Sequence, residues 1–259
     1  MTDLSAADEK TAEKLFQAYV HKQQIDKEQI PASLDKQQAY GIQRALTAKK
    51  IHTAGEELKG YKVSLTSPET QKLFNSTTPL YGALMSSALS DGIIELAGMS
   101  SPLIEIELIF IAQEDLSPAD SIADILQKTI VSPGIEVPDS RFDNWFPKIT
   151  LGQVIADSAV AGKIVSGAPV SSVSYERLED IQGVLRFNGE EIASNSSTAV
   201  LGHPALALKW LVDELAQHGH TLKKGMYVSS GTFVSPRKLE RGYYTASYEG
   251  IGEVALEVI

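Results

Sequence analysis

The chain has 259 residues, 43% of them hydrophobic, a formal net charge of −10 and no cysteine. That length allows a full core, and the missing thiols exclude disulfides, thiol catalysis and zinc–thiolate sites and fit a reducing cytoplasm. The charge disfavours nucleic acid or an anionic membrane as partner, no apolar run reaches the roughly 18 residues needed to span a bilayer, and the polar, acidic start Met1-Thr2-Asp3-Leu4-Ser5 has no signal-peptide pattern.

Ser5 reads as an N-cap, with Asp8 and Glu9 in the first turn of a helix that runs to about His21. Leu15, Phe16, Tyr19 and Val20 make its apolar stripe. Ile30-Pro31-Ala32 is a break. Ser33 then caps a second helix with Ala39, Ile42, Ala45 and Leu46 on one face, and Gly55 ends it. From Lys59 the texture changes to period two, with Tyr61, Val63 and Leu65 on one strand face and Lys62, Ser64 and Thr66 on the other. Ser67-Pro68-Glu69 starts a helix, serine as N-cap and proline first inside. A turn at Pro79 to Gly82 and a strand near Gly92–Leu96 follow.

The strand Ser101 to Ile111 is the most informative stretch. Ile104, Ile106, Leu108 and Phe110 share one face; Glu105 and Glu107 open the other, which continues with Ile109 and Ile111. Ser117-Pro118 opens a helix reaching about Val131, Pro133-Gly134 breaks it, and Ile135-Glu136-Val137 is a short strand. Asp139-Ser140-Arg141 leads into a loop with Trp145 and Phe146, and a helix or loop covers Val154 to Ala161. Strands at Val184–Phe187 and Glu191–Ala193 flank the hairpin turn Asn188-Gly189. Gly202-His203-Pro204 starts the last long helix, with Leu206, Leu208, Trp210, Leu211 and Leu215 as its apolar residues and Gly219 at its end. Met226–Ser229, Thr245–Tyr248 and Glu253–Val258 finish as strands. The expected fold class is α+β, with a helical N-terminal part (1–58) and a β-rich catalytic core (59–259) in one structural unit. Strand and helix do not alternate regularly enough for a doubly wound or TIM-barrel fold.

Two carboxylates side by side on a largely apolar strand are costly to bury unpaired. Either that end of the strand is wet, or a cation holds them. Glu105, Glu107 and Glu136 together suit a hard divalent cation such as Mg²⁺ or Mn²⁺; a solvated face plus an unrelated glutamate is the alternative. Lys62 can bind a carboxylate or transfer a proton, or be an ordinary exposed lysine. Arg141 can pair with a substrate carboxylate or, structurally, with Asp139 or Asp157. Ser229-Ser230-Gly231-Thr232 could cradle an anion or simply turn. His203 before Pro204 reads as an N-cap. No Gly-x-Ser-x-Gly elbow, dinucleotide fingerprint or P-loop occurs. An anionic small substrate is compatible with the acidic average, because a bound metal and one lysine reverse the sign locally.

These motifs stand in a recognisable order. Ala39-Tyr40-x-x-Gln43, Gly60-Tyr61-Lys62-Val63-Ser64-Leu65-Thr66-Ser67, Pro102-x-Ile104-Glu105-x-Glu107, Ile135-Glu136-Val137-x-Asp139-Ser140-Arg141, Ala156-Asp157, and Val200-Leu201-Gly202-His203-Pro204 with Trp210-Leu211 resemble the fumarylacetoacetate hydrolase superfamily. Within it they are most similar to the 2-keto-4-pentenoate hydratase and 4-oxalocrotonate decarboxylase branch, over nearly the whole chain. The resemblance implies a mixed β-roll core with a helical N-terminal part. It implies Mg²⁺ or Mn²⁺ on Glu105, Glu107 and Glu136, chelated by the carboxylate and 2-oxo oxygens of a small 2-oxo acid. Lys62 would be the general acid/base or carboxylate partner, with Asp157 catalytic and Ser64, Leu80, Arg141, Ser158 and Thr232 around the substrate. It further implies a cytoplasmic homo-oligomer, often pentamer-based.

The expected activity is that of a metal-dependent lyase, by default a hydratase. The alternatives are a 4-oxalocrotonate-type decarboxylase, an acylpyruvate C–C hydrolase and a non-catalytic metal-binding homologue. Two departures bear on the choice. Leu80 stands where hydratases of the branch usually carry an acid and decarboxylases an apolar residue. The family's Asp-Asn-Ala-Ser-Ser is here Asp157-Ser158-Ala159-Val160-Ala161, which removes polar groups from the water-handling side of a hydratase site.

Overall fold

The computed structural model describes residues 4–171 and 173–259, so the first three residues of the acidic start lie outside the described residues. Ser5 accepts the Asp8 N–H and caps α1 (Ala6–His21). Asp35, rather than Ser33, caps α2 (Lys36–Ala54), because Gln38 returns the bond to the Asp35 N–H and completes a capping box. Leu15, Phe16, Ala39, Ile42 and Leu46 are buried, whereas Val20 of the expected stripe is exposed. Gly55 ends α2 with φ of 70°, in the left-handed region.

The chain continues through β1 (Leu58–Ser64), α3 (Pro68–Leu73), β2 (Leu80–Met85), β3 (Leu89–Ser90), β4 (Ile93–Ile94), β5 (Leu103–Ala112), α4 (Ile122–Gln127) and β6 (Thr129–Val137). Then come α5 (Leu151–Ala156), β7 (Lys163–Ser166), α6 (Tyr175–Leu178), β8 (Gln182–Phe187), β9 (Glu190–Ser196) and α7 (Pro204–Gln217). β10 (Tyr227–Ser229), β11 (Arg237–Lys238), β12 (Gly242–Tyr248) and β13 (Gly252–Val258) close it. One sheet runs β2-β1-β10-β5-β6-β7-β3 with β11 beside β5; the other runs β4-β13-β12-β8-β9. The first is mixed, since β1–β10 and β3–β7 are parallel and β5–β6 antiparallel. This is the expected mixed β-roll of an α+β chain. Among the described residues no helix is long and apolar enough to cross a membrane.

Three local expectations are corrected. The helix after Ser117-Pro118 starts later and stops sooner: Ser121 caps α4 in a capping box with Asp124, and the β-branched run Thr129 to Val131 pairs with β5 instead. Pro133-Gly134 does not interrupt that strand. Leu108 and Pro133 are opposite one another, but the Leu108 carbonyl accepts from Ser230 and the Pro133 carbonyl from Gly167, so proline's missing donor is not needed between them. A Cβ on Gly134 would meet Ile109 Cγ1 at 2.3 Å, so only glycine lets β6 pass there. Finally, Leu80 to Gly82 is not a turn but the start of β2, buried throughout and paired with β1 from Ser64↔Leu80 to Lys62↔Gly82.

Candidate active site

The register of β5 on β6 sets Glu105 directly opposite Glu136, with Glu107 two residues further along the same face of β5. One carboxylate oxygen from each of the three lies within 4.8 Å of the others. All three are buried, at 7%, 1% and 0% exposure for Glu105, Glu107 and Glu136. Lys62 arrives from β1, which reaches β5 across β10 through the pairs Lys62↔Ser229 and Ser229↔Ile109. Its Nζ lies 2.7 Å from Glu136 Oε1 and donates to the Ala159 carbonyl at 3.3 Å. Glu107 Oε2 accepts from Ser229 Oγ at 2.5 Å and from the Gly231 N–H at 2.8 Å. The serine-rich turn does cradle an anion, and that anion is Glu107.

Glu136 differs from its neighbours. The Lys62 ammonium is close enough for an ion pair but off hydrogen-bond geometry, and among the described residues neither Glu136 oxygen accepts a hydrogen bond. The cluster therefore sets three carboxyl groups against one ammonium in a buried region. Burial pushes Glu105 up to about 8, with Lys62 pulling it down and Glu136 adding to the rise. Burial also raises Glu107 well above the usual carboxylate range, reinforced by Glu136 and Glu105. Burial alone would lower Lys62, but Glu136, Glu105 and Glu107 outweigh it and hold the ammonium above its ordinary value. The residues fit a divalent cation: three hard oxygen donors converge, one ammonium faces them, and Glu136 Oε2 is unclaimed among the described residues.

A narrow cavity of about 50 Å³ opens on Lys62, Ser64, Glu105, Glu107 and Thr232. The Thr232 hydroxyl is engaged with Val234, donating to its carbonyl and accepting its N–H. Phe74, from the end of α3, and Trp145 and Phe146, from the loop after Arg141, form an aromatic wall.

Arg141, Asp157, Leu80 and Ser158 do not line this cavity. The Asp157 carboxylate takes Arg141 Nε at 2.5 Å, the Arg141 N–H at 3.0 Å and Ser140 Oγ at 3.3 Å. Nη1 and Nη2 each donate once, to the Ala161 and Asp157 carbonyls at 3.0 and 2.8 Å. This pair clamps a turn in which Ser158, Ala159 and Val160 all have left-handed φ of 54°, 51° and 52°. Such a conformation costs L-residues roughly 1–2 kcal/mol each. The strained turn presents the Ala159 carbonyl to Lys62 and Val160 to the cavity. Gly82 makes room for it, since a Cβ there would meet the Ser158 carbonyl oxygen at 1.8 Å. Leu80 is fully buried opposite Ser64, and Ser158 Oγ is buried without a hydrogen-bond partner among the described residues. His203 caps α7, its Nδ1 accepting the Ala205 N–H. Sequence reasoning did not find Phe74 or the Ala159 carbonyl, whereas the Gly231 N–H belongs to the turn read as an anion cradle. Backbone groups carry no side-chain signature, and Phe74 gave no sign beyond following a capped helix.

No family model matches the chain. It is 30% identical over 226 residues to a 4-oxalocrotonate decarboxylase of Pseudomonas sp. (strain CF600), covering 85% of this chain and 84% of that one. It is 32% identical over 221 residues to a 2-keto-4-pentenoate hydratase of Paraburkholderia phymatum, covering 83% of each. The structure of 4-oxalocrotonate decarboxylase from Pseudomonas putida G7, complexed with magnesium and adipate, superposes with a TM-score of 0.88 at 27% identity over 97% of both chains. Fumarylpyruvate hydrolase from Pseudomonas aeruginosa, in complex with Mn²⁺ and pyruvate, shares the fold at TM-score 0.60 and 14% identity over 77% of this chain and 88% of that one. The glutamate cluster, the β-roll around it and these likenesses agree: the chain belongs to the family of 4-oxalocrotonate decarboxylases and 2-keto-4-pentenoate hydratases.

Proposed function

We propose that the protein is a divalent-cation-dependent lyase of small 2-oxo acids, and specifically a 2-keto-4-pentenoate (2-hydroxypentadienoate) hydratase. The observation that carries the reading is the buried, under-compensated cluster of Glu105, Glu107 and Glu136 beside Lys62. Those three glutamates would hold Mg²⁺ or Mn²⁺, the ions found in the related structures. When bound, such an ion supplies Lewis-acid charge for the carboxylate and 2-oxo oxygens of a 2-oxo acid.

The chain's own groups do the rest. Hydration adds one hydroxyl and one proton across a conjugated alkene. Among the described residues Lys62 is the one ammonium on the cavity, so Nζ is placed to give that proton. The Ala159 carbonyl fixes where Nζ points. Asp157 contributes by holding Arg141 and the strained turn that carries this carbonyl. Ser64 and Thr232 border the substrate, whereas Arg141, Leu80 and Ser158 support the wall from behind.

The test is turnover of 2-hydroxypenta-2,4-dienoate by the Mg²⁺-loaded protein, with loss of dienoate absorbance and no CO₂. The buried, apolar Leu80 favours a second reading, decarboxylation on the same scaffold. CO₂ release from 4-oxalocrotonate would establish that reading, and inactivity on a panel of 2-oxo acids with metal bound would favour a non-catalytic homologue. The family resemblance also supports a pentamer-based homo-oligomer in the cytoplasm; sedimentation at the 28.0 kDa of one chain would refute the oligomer.

A further inference from the structure

We infer that the substrate's tail, the end remote from its 2-oxo acid group, is uncharged, and that an aromatic wall centred on Phe146 selects it. The inference rests on the lyase reading and goes further, because the branch contains relatives named for both kinds of substrate. A 2-keto-4-pentenoate has one carboxylate and a 4-oxalocrotonate has two.

The first observation is charge. Among the described residues Lys62 is the only cationic one on the cavity, with no arginine or histidine lining it, and its ammonium already faces three carboxylates. Arg141, the nearest buried alternative in the sequence motif, spends its guanidinium on Asp157 and Ala161. A second substrate carboxylate would meet no countercharge.

The second observation is polarity. Ser67 and Thr70 line the cavity, but their hydroxyls bond one another in capping α3. Thr232 is engaged with Val234. The Trp145 indole N–H donates to the Ser101 carbonyl at 3.0 Å, so that ring has no donor left for a ligand. Ser64 and Thr66 also line the cavity, on and just after the strand that carries Lys62, and Leu65, Phe74, Phe146, Val154 and Val160 make the hydrocarbon part of the wall. The Phe146 ring bridges it, 5.3 Å from Trp145 edge-on and 6.3 Å from Phe74. A carboxylate pressed against such a wall loses its water and gains no hydrogen bond.

The experiment compares kcat/KM of the Mg²⁺-loaded full chain on three substrates of one chemistry. These are 2-hydroxypenta-2,4-dienoate, 2-hydroxyhexa-2,4-dienoate with a methyl tail, and 2-hydroxyhepta-2,4-diene-1,7-dioate with a carboxymethyl tail. The inference predicts that the first two exceed the third by about a hundredfold or more, and that Phe146→Arg narrows the gap at least about tenfold by raising the dioate's kcat/KM. Equal handling of the methyl and carboxymethyl tails by the unaltered protein would overturn the inference while leaving the lyase reading intact. Absence of turnover on all three, with Mg²⁺ shown to be bound, would overturn the lyase reading and this inference with it. If Phe146→Arg fails to fold by circular dichroism, Phe74→Lys serves instead. A folded variant whose gap does not narrow would remove the wall from the specificity.

Discussion

Two clusters of buried charge lie on either side of the Asp157 to Ala161 turn, and they are built differently. Arg141 and Asp157 are one cation and one anion, and all of the Arg141 donors and Asp157 oxygens described above have partners. Lys62 faces three carboxylates, and both oxygens of one of them accept nothing. The chain can therefore balance a buried charge when structure is the only requirement. Its failure to do so a few residues away, at the bottom of a cavity, marks a place where charge must come from outside. The two clusters are linked, since the balanced one holds the turn whose Ala159 carbonyl steers the lysine of the unbalanced one.

Substitutions in the two clusters should separate activity from stability. Glu107→Gln has the largest expected effect: activity falls by about a thousandfold or more and Mg²⁺ dependence disappears, while the metal-free fold survives, because the amide replaces a carboxyl whose ionisation burial already disfavours. Wild-type-like turnover would sink the metal assignment. Asp157→Asn does the reverse damage. It leaves the buried Arg141 charge uncompensated, and chemical denaturation should show a loss of about 3–5 kcal/mol, whereas a loss under about 1 kcal/mol would mean that the pair is not the clamp described. Lys62→Ala should lower kcat by about a hundredfold with Mn²⁺ affinity largely intact, and unchanged kinetics would remove Lys62 from proton transfer.

A pH-dependent effect concerns Lys50 of α2, buried over the Tyr19 ring with Nζ 4.2 Å from its centre. Burial first, and Arg141 second, push its ammonium down to about 7, against the pull of Asp157 and Glu56. An unfolded lysine ionises near 10.5. Between about 7 and that value the unfolded chain holds a proton that the folded chain lacks, so stability rises with pH across the window, and the penalty is fully present below about 7. Denaturation midpoints from pH 7 to 10 should rise in the unaltered chain relative to Lys50→Met. Parallel profiles would show that Lys50 does not titrate in that range.

Much of the fold could be read locally. Capping signals at Ser5, Ser67 and His203 act within three residues and were readable as such. The period-two pattern of β5 put Glu105 and Glu107 on one face without any tertiary information. The third glutamate was different. Nothing near Ile135-Glu136-Val137 says that it will sit opposite Glu105; that depends on a register running through Pro133-Gly134, which reads as a break. The residues alone offered Glu136 as a weak third partner, and the order of motifs along the chain, through the family resemblance, strengthened it. The left-handed turn at Ser158 to Val160 was illegible for a related reason. It contains no glycine, and its strain is held from outside by Arg141 and by the space above Gly82. Leu80 looked like part of a turn because Pro79 and Gly82 flank it, yet pairing with β1 makes it strand.

The central claim is that the under-compensated glutamates bind a divalent cation and the balanced pair does not. Isothermal titration of Mn²⁺ into the full chain tests it most directly, with Glu136→Gln and Arg141→Lys titrated alongside. The account predicts one Mn²⁺ per chain, affinity reduced at least about tenfold in Glu136→Gln, and little change in Arg141→Lys. Mn²⁺ binding that is absent from the unaltered chain, or undiminished in Glu136→Gln, would contradict it.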